Sequence, residues 1–180
     1  MKSVIDTRNF VGRVRVTNED GFESYGLNLV TYTGGDIIAQ LLAGNNAYRI
    51  QAVAFEYQNT AGTPSPAAAS RSNTNAMLQA LSGSFDYLRG ALVAAPALSA
   101  SDGNHNYNKA LFTALGSGPT GVHGVTFSAA SNSKVYAVSL LATPTGSASG
   151  DVIYARHILA SPVAAVGSGQ VTCVWDTEAL

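Results

Sequence analysis

The chain has 180 residues, of which 12% are charged and 46% hydrophobic, with a formal net charge of −1. That length fits one domain able to bury a sizeable core without disulfides, and the single cysteine, Cys173, excludes an intrachain disulfide framework or a thiolate cluster. A near-neutral balance gives no broad electrostatic footprint for nucleic acid or acidic lipid, so neither is an expected partner.

In chain order, Met1 to Asn9 is polar and mixed in charge, unlike a signal peptide, and is expected to form an arm. Residues 10–180 are expected to form one domain, and nothing in them approaches the ~18 apolar residues of a membrane span. Phe10 to Thr17 alternates Val14 and Val16 with Arg13 and Arg15, the period of a half-buried strand. Asn18 to Gly21 is turn chemistry, and a second strand between Phe22 and Tyr32 completes a hairpin.

Asp36 to Ala43 carries Ile37, Ile38, Leu41 and Leu42 as a stripe and predicts a short helix. Thr33 or Asp36 is placed to cap it, and Gly44, Asn45 and Asn46 to end it. Tyr48 to Tyr57 returns to strand composition. Asn59 to Asn75 is rich in Pro, Ala, Ser, Thr and Asn and predicts a long exposed loop, with a short helix over Asn75 to Ser82. From Phe85 the chain becomes strand-like runs separated by turns: Phe85 to Val93, Lys109 to Leu115, Val122 to Ser128, Lys134 to Thr143, Val152 to Leu159 and Gln170 to Asp176. This spacing predicts a mostly β fold, an antiparallel sandwich or jelly roll with one short helix in its first half.

Catalytic patterns are thin. His105, His123 and His157 lie in separate segments with no metal-ligand spacing, and no metal or other cofactor is expected. A Ser-His-Asp triad stays open on sequence because its members converge from distant positions, but the chain has no GxSxG elbow. Gly34-Gly35 and Gly116 to Gly121 match neither the P-loop nor the dinucleotide fingerprint and read as turns. Asp102 to Asn106 is oxygen-rich but lacks the carboxylates of a calcium loop, so an Asx turn is expected. Cys173 shares a strand face with Val171 and Trp175 and is expected to be a core thiol. Arg89 and Arg156 sit in apolar strands, where each needs a carboxylate or a carbonyl, and a subunit interface is one place to find it. Tyr48, Phe55, Tyr57, Tyr87, Tyr107, Tyr136 and Tyr154 are expected to serve packing rather than sugar stacking.

Three pieces resemble a known family. They are Thr31-x-Thr-Gly-Gly-Asp-Ile-Ile-Ala-x-Leu-Leu-Ala-Gly-Asn with its following strand; Phe127-Ser-Ala-Ala-Ser-Asn-Ser-Lys-Val-Tyr-Ala-Val-Ser-Leu-Leu-Ala-x-Pro; and Asp151-Val-Ile-Tyr-Ala-Arg with the closing Gly169-Gln-Val-Thr-Cys-Val-Trp. They resemble small virion structural proteins of tailed bacteriophages, of the head-decoration or fibre-base type. Gln58-Asn-Thr-Ala-Gly departs from the Gly-x-Gly turn of the fibre-base pattern, and no coiled coil or β-helical repeat is present. The resemblance implies a non-enzymatic decoration (cement) protein on the capsid surface of the virion. Its partners would be the major capsid protein or other virion subunits. Separately, with 12% of residues charged, apolar or small-residue strand faces are expected to be covered by neighbouring copies, a trimer favoured. A tail, neck or baseplate subunit is the alternative. A carbohydrate-binding or hydrolytic virion protein is the second, but it would need carboxylates near aromatics, and Glu56 and Asp86 are isolated in sequence. Contacts are expected from the arm and the long loop, with Arg8, Asn59, Pro64, Pro66, Arg71, Arg89 and Arg156 as candidates.

Overall fold

Val14 and Val16 are buried while Arg13 and Arg15 face outward, so the alternation in the first strand is used as its pattern predicts. The computed structural model describes residues 10–95, 97–99, 109–147 and 149–179. Along the chain run β1 (Phe10–Asn18), β2 (Glu23–Leu27), β3 (Leu29–Val30), α1 (Tyr32–Leu42), β4 (Tyr48–Asn59), α2 (Asn75–Gln79), β5 (Phe85–Ala91), β6 (Ala97–Ser99), β7 (Lys109–Gly116), β8 (Ser133–Pro144), β9 (Val152–Ala164) and β10 (Val171–Ala179). The strands form two five-stranded sheets, ordered β2-β1-β10-β7-β6 and β3-β9-β8-β4-β5, with antiparallel pairing throughout. The fold is a mostly β, sandwich-like stack of two antiparallel sheets.

The space between the sheets is filled by Val14, Val16, Phe112, Cys173 and Trp175 from the first and Val53, Phe55, Tyr57, Val138 and Leu140 from the second. Cys173 and Trp175 are wholly buried there beside Val171. The opposite face of the second sheet carries a smaller cluster, in which Ala52, Ala54, Leu141 and Ile153 meet Leu78 of α2. The chain changes sheets at two places. Leu27 belongs to the first sheet and Leu29 to the second; between them Asn28 N–H donates to the Gly12 carbonyl at 3.0 Å. After β5, Leu92 bridges to Ala114 and Val93 N–H donates to Thr113 O at 2.9 Å. Strands that switch sheets in this way close the corners of a sandwich.

The predicted helix forms but begins earlier, at Tyr32, and its cap is neither Thr33 nor Asp36. Thr31 Oγ1 accepts from Gly34 N–H at 3.0 Å and its hydroxyl donates to Ile153 O at 2.6 Å, so one side chain caps the helix and fastens it to β9. A Cβ on Gly34 would lie 2.1 Å from Tyr154 O, so only glycine lets the first turn lie against the strand. Gly44 supplies the expected left-handed residue after the helix, at φ 82°.

One further expectation is corrected. Val122 to Ser128 is not a strand: it turns back on itself, with a single bridge from Thr120 to Thr126, because its N–H groups are taken by Asp86 and by Tyr87 O. The 59–75 segment is the expected loop, exposed or partly exposed along most of its length, but it is held to its own domain. Pro64 is buried, Lys134 Nζ donates to Gly62 O at 2.6 Å, Arg156 Nη1 donates to Ala67 O at 3.1 Å, and the Arg71 guanidinium lies 4.9 Å from the centre of the Tyr32 ring. Three cations thus tie a polar segment down onto its own domain. Arg8 with the rest of the arm, and Asp102 to Asn106 with His105 and Tyr107, lie outside the described residues.

Candidate functional site

Glu56 and Arg156 lie 100 residues apart in sequence and meet on the outer face of the second sheet. Arg156 pairs in register with Ser139 of β8, and Ser139 in turn with Ala54 of β4, so the guanidinium reaches over the central strand. Its Nε and Nη2 donate to the two carboxylate oxygens of Glu56 at 2.9 and 2.7 Å, and Ser139 Oγ adds a third hydrogen bond at 2.9 Å. Both side chains are at least 98% buried, at 2% and 1% relative exposure. Burial alone would lower the Arg156 pKa; the hydrogen bonds and charge of Glu56 outweigh it and leave it raised. Such a pair costs desolvation at each ion and persists because its geometry is bidentate and its remaining valences are met.

Beside the pair lies a pocket of about 220 Å³. Glu56, Arg156, Tyr136, Ser65 and Ser82 are its polar lining, and Pro66, Ala67, Met77, Leu81 and Phe85 supply apolar surface. Tyr136 reaches this place through a break in the strand pairing: β4 opposes Ala137 with Glu56 and Val135 with Tyr57, which leaves Tyr136 as the extra residue of a bulge. Burial, and then the neighbouring charge of Glu56, hold its phenol well above the ordinary value. Sequence reasoning assigned Tyr136 to packing and left Met77, Leu81 and Phe85 unremarked; a bulge leaves no mark in composition.

Asp86 is a second buried carboxylate. It accepts N–H bonds from Tyr87 at 2.7 Å, His123 at 3.0 Å and Val125 at 2.9 Å, and so pins the 121–125 turn over the edge of β5. His123 Nε2 donates to Leu78 O at 2.9 Å and its ring packs edge-on against Tyr87. His157 faces the seam between the sheets, where Nδ1 donates to Leu27 O at 2.8 Å; Nε2 is buried without a partner among the described residues. Burial lowers the pKa of this imidazole. Glu56, Asp86, His123 and His157 are therefore each engaged by neighbouring main chain or by Arg156. The described residues contain no group of three or more His, Cys, Asp or Glu side chains able to hold a metal ion, and no helix long and apolar enough to cross a membrane.

The candidate contact residues divide. Arg156 and Pro64 are buried inside the chain and present nothing to a partner, which corrects their assignment as contacts. Asn59 is held by Ser133 Oγ and the Thr126 carbonyl. Arg89 finds its carboxylate within the chain, donating to Asp151 from Nε at 2.6 Å and Nη2 at 3.1 Å. Pro66 and Arg71 stay partly exposed. Of the large apolar groups that face solvent, Leu41 and Leu42 were expected in the packed stripe of α1, where Ile37 is the one buried member, whereas Phe22 at the hairpin turn, Tyr25 (59%) and Leu27 (67%) on the outer face of β2, and Tyr32 on α1 were not singled out by sequence. Tyr25 and Leu27 stand two apart, the spacing of one strand face, but strand composition alone does not say which face is left open.

Comparison with protein-family models, with curated proteins and with solved structures finds no match.

Proposed function

We propose that the chain is a non-enzymatic structural protein that acts through its surface, as a decoration (cement) subunit on the capsid of a tailed bacteriophage. Its partners are the major capsid protein or other virion subunits, with self-association to a trimer. The observation that supports a contact role is the exposed pair Tyr25 and Leu27 on the outer face of edge strand β2, opposite Arg15 and Arg13, with Phe22 also exposed in the turn before that strand. The virion assignment itself rests on the resemblance of the Thr31 to Asn45, Phe127 to Pro144, Asp151 to Arg156 and Gly169 to Trp175 pieces. The contact surface moves from the 59–75 segment, which is bound to its own domain, to the β1–β2 hairpin.

The test is a binding assay of the full chain on undecorated capsids, with copies counted per particle. Hundreds of copies mean decoration, and a few to a few dozen mean a tail, neck or baseplate position. The Tyr25→Asp, Leu27→Asp double variant is expected to keep its fold and lose occupancy. Unchanged occupancy would remove the hairpin from the contact, and no binding to virion parts at any copy number would remove the virion reading.

A further inference from the structure

The pocket beside Arg156 is independent of that reading, because it opens on the opposite sheet from the hairpin's exposed row. Its volume is about 220 Å³, and an apolar protein cavity of about 150 Å³ takes up benzene. One six-membered ring with a substituent therefore fits. Met77, Leu81 and Phe85 favour an apolar body for that ring.

The polar lining decides the rest. Arg156 is balanced by Glu56 at 2.7 Å, so the floor carries no net charge to attract an ion. A charged ligand would shed its hydration and meet both signs at once. Tyr136 is 2% exposed, and its hydroxyl makes no hydrogen bond among the described residues although the ring is displaced by a bulge toward the pocket. The hydroxyl is not among the buried atoms left without a partner, so water has access to it, and a ligand that displaces that water loses affinity unless it brings a hydrogen bond of its own. The phenol of Tyr136 both donates and accepts, as does a ligand hydroxyl.

We propose that this pocket binds a neutral hydroxylated aromatic molecule of the phenol class, its ring against Met77, Leu81 and Phe85 and its hydroxyl paired with Tyr136. The experiment is amide chemical-shift mapping on the full chain with three single-ring probes: p-cresol, toluene and benzoate. The expected result is p-cresol binding with a dissociation constant of about 1 mM, shifts centred on Ala67, Leu81 and Phe85, toluene weaker by about fivefold, and benzoate weaker than toluene. Tyr136→Phe removes a hydroxyl that bonds to nothing in the chain and is expected to erase the preference for p-cresol over toluene. Ala80→Trp, at an exposed position on the rim, is expected to block all binding with the fold intact. No p-cresol shifts, toluene equal to p-cresol in the wild type, benzoate the tightest, or binding that survives Ala80→Trp would each overturn the proposal.

Discussion

Arg156 and Glu56 join β9 to β4 across the width of β8 by two hydrogen bonds of 2.9 and 2.7 Å, and the Ser139 hydroxyl of β8 adds a third to Glu56, so side chains alone link three strands of the second sheet. The same guanidinium holds Ala67, so sheet and covering segment share one anchor. Removing one member leaves the other ion buried without its partner. Glu56→Gln is expected to cost about 3–5 kcal/mol in denaturant unfolding, whereas the Glu56→Met, Arg156→Met double variant is expected to recover most of it. A Glu56→Gln loss under about 1 kcal/mol would mean that water reaches the pair.

Arg156's need of a partner could be read from its place in an apolar strand, but the partner's identity could not. Local alternation places Glu56 and Arg156 on faces; only the order β9-β8-β4 brings those faces together. The helix shows the same limit on a smaller scale. Its existence and the inward-facing Ile37 were readable, but not that Leu41 and Leu42 stay exposed, nor its start, because Gly34 and Gly35 are poor helix formers and the first turn is held by Thr31 and by close packing on Tyr154. Val122 to Ser128 has strand composition but surrenders its N–H groups to Asp86, a tertiary contact that propensity does not contain.

That carboxylate leads to a second prediction. A Cβ at Gly121 would fall 2.4 Å from Asp86 Cγ, so Gly121→Ala must displace the turn from its anchor. The expected loss is about 1–3 kcal/mol, the range for overpacking a tight site. Asp86→Asn, which keeps the shape but loses charge and acceptor capacity, is expected to cost about 1.5–3 kcal/mol. Equal stability of both variants with the wild type in urea unfolding would show that the turn does not depend on Asp86.

His157 makes stability depend on pH. Burial depresses its pKa below 6.5 in the folded chain, so the unfolded chain binds the proton more readily. Its contribution is full above about 6.5, falls as the pH drops below that, and levels off once the folded imidazole also protonates. The slope from one such group is at most about 1.4 kcal/mol per pH unit. Between about pH 7.5 and about pH 5.5, the wild type is expected to lose more stability than His157→Gln. Parallel losses would assign the pH dependence to other groups. Gly26→Ala probes the same seam, since its Cβ would meet the imidazole at 1.9 Å.

Cys173 is fully buried, and burial raises its thiol pKa, so little thiolate forms and little reagent reaches it. Iodoacetamide is expected to leave it unmodified in the native protein and to alkylate it in denaturant. Cys173→Ser is expected to cost about 1–3 kcal/mol by burying a hydroxyl among Val16, Ala114 and Trp175. Rapid native labelling would place the thiol at an opening of the core rather than within it.

The 59–75 segment is held by few, mostly solvent-facing contacts, and its opening should be local. Lys134 Nζ to Gly62 O lies at the surface, the Arg71 guanidinium is half-buried over the exposed Tyr32 ring, and Arg156 Nη1 to Ala67 O lies deeper. Exposed polar contacts of this kind contribute about 1 kcal/mol or less each, so Lys134→Ala and Arg71→Ala are expected to change global stability only slightly. They should nevertheless lower the free energy of opening this segment separately from the sheets. The Tyr32 amide reports on it, because that N–H donates to Arg71 O at 2.8 Å and exchanges when the segment lifts. In Arg71→Ala, hydrogen exchange at Tyr32 is expected to quicken while that of Val53 and Val138, inside the second sheet, stays at its wild-type rate. If all three sites quicken together, the segment opens only with the sandwich and the three cations act on global stability instead.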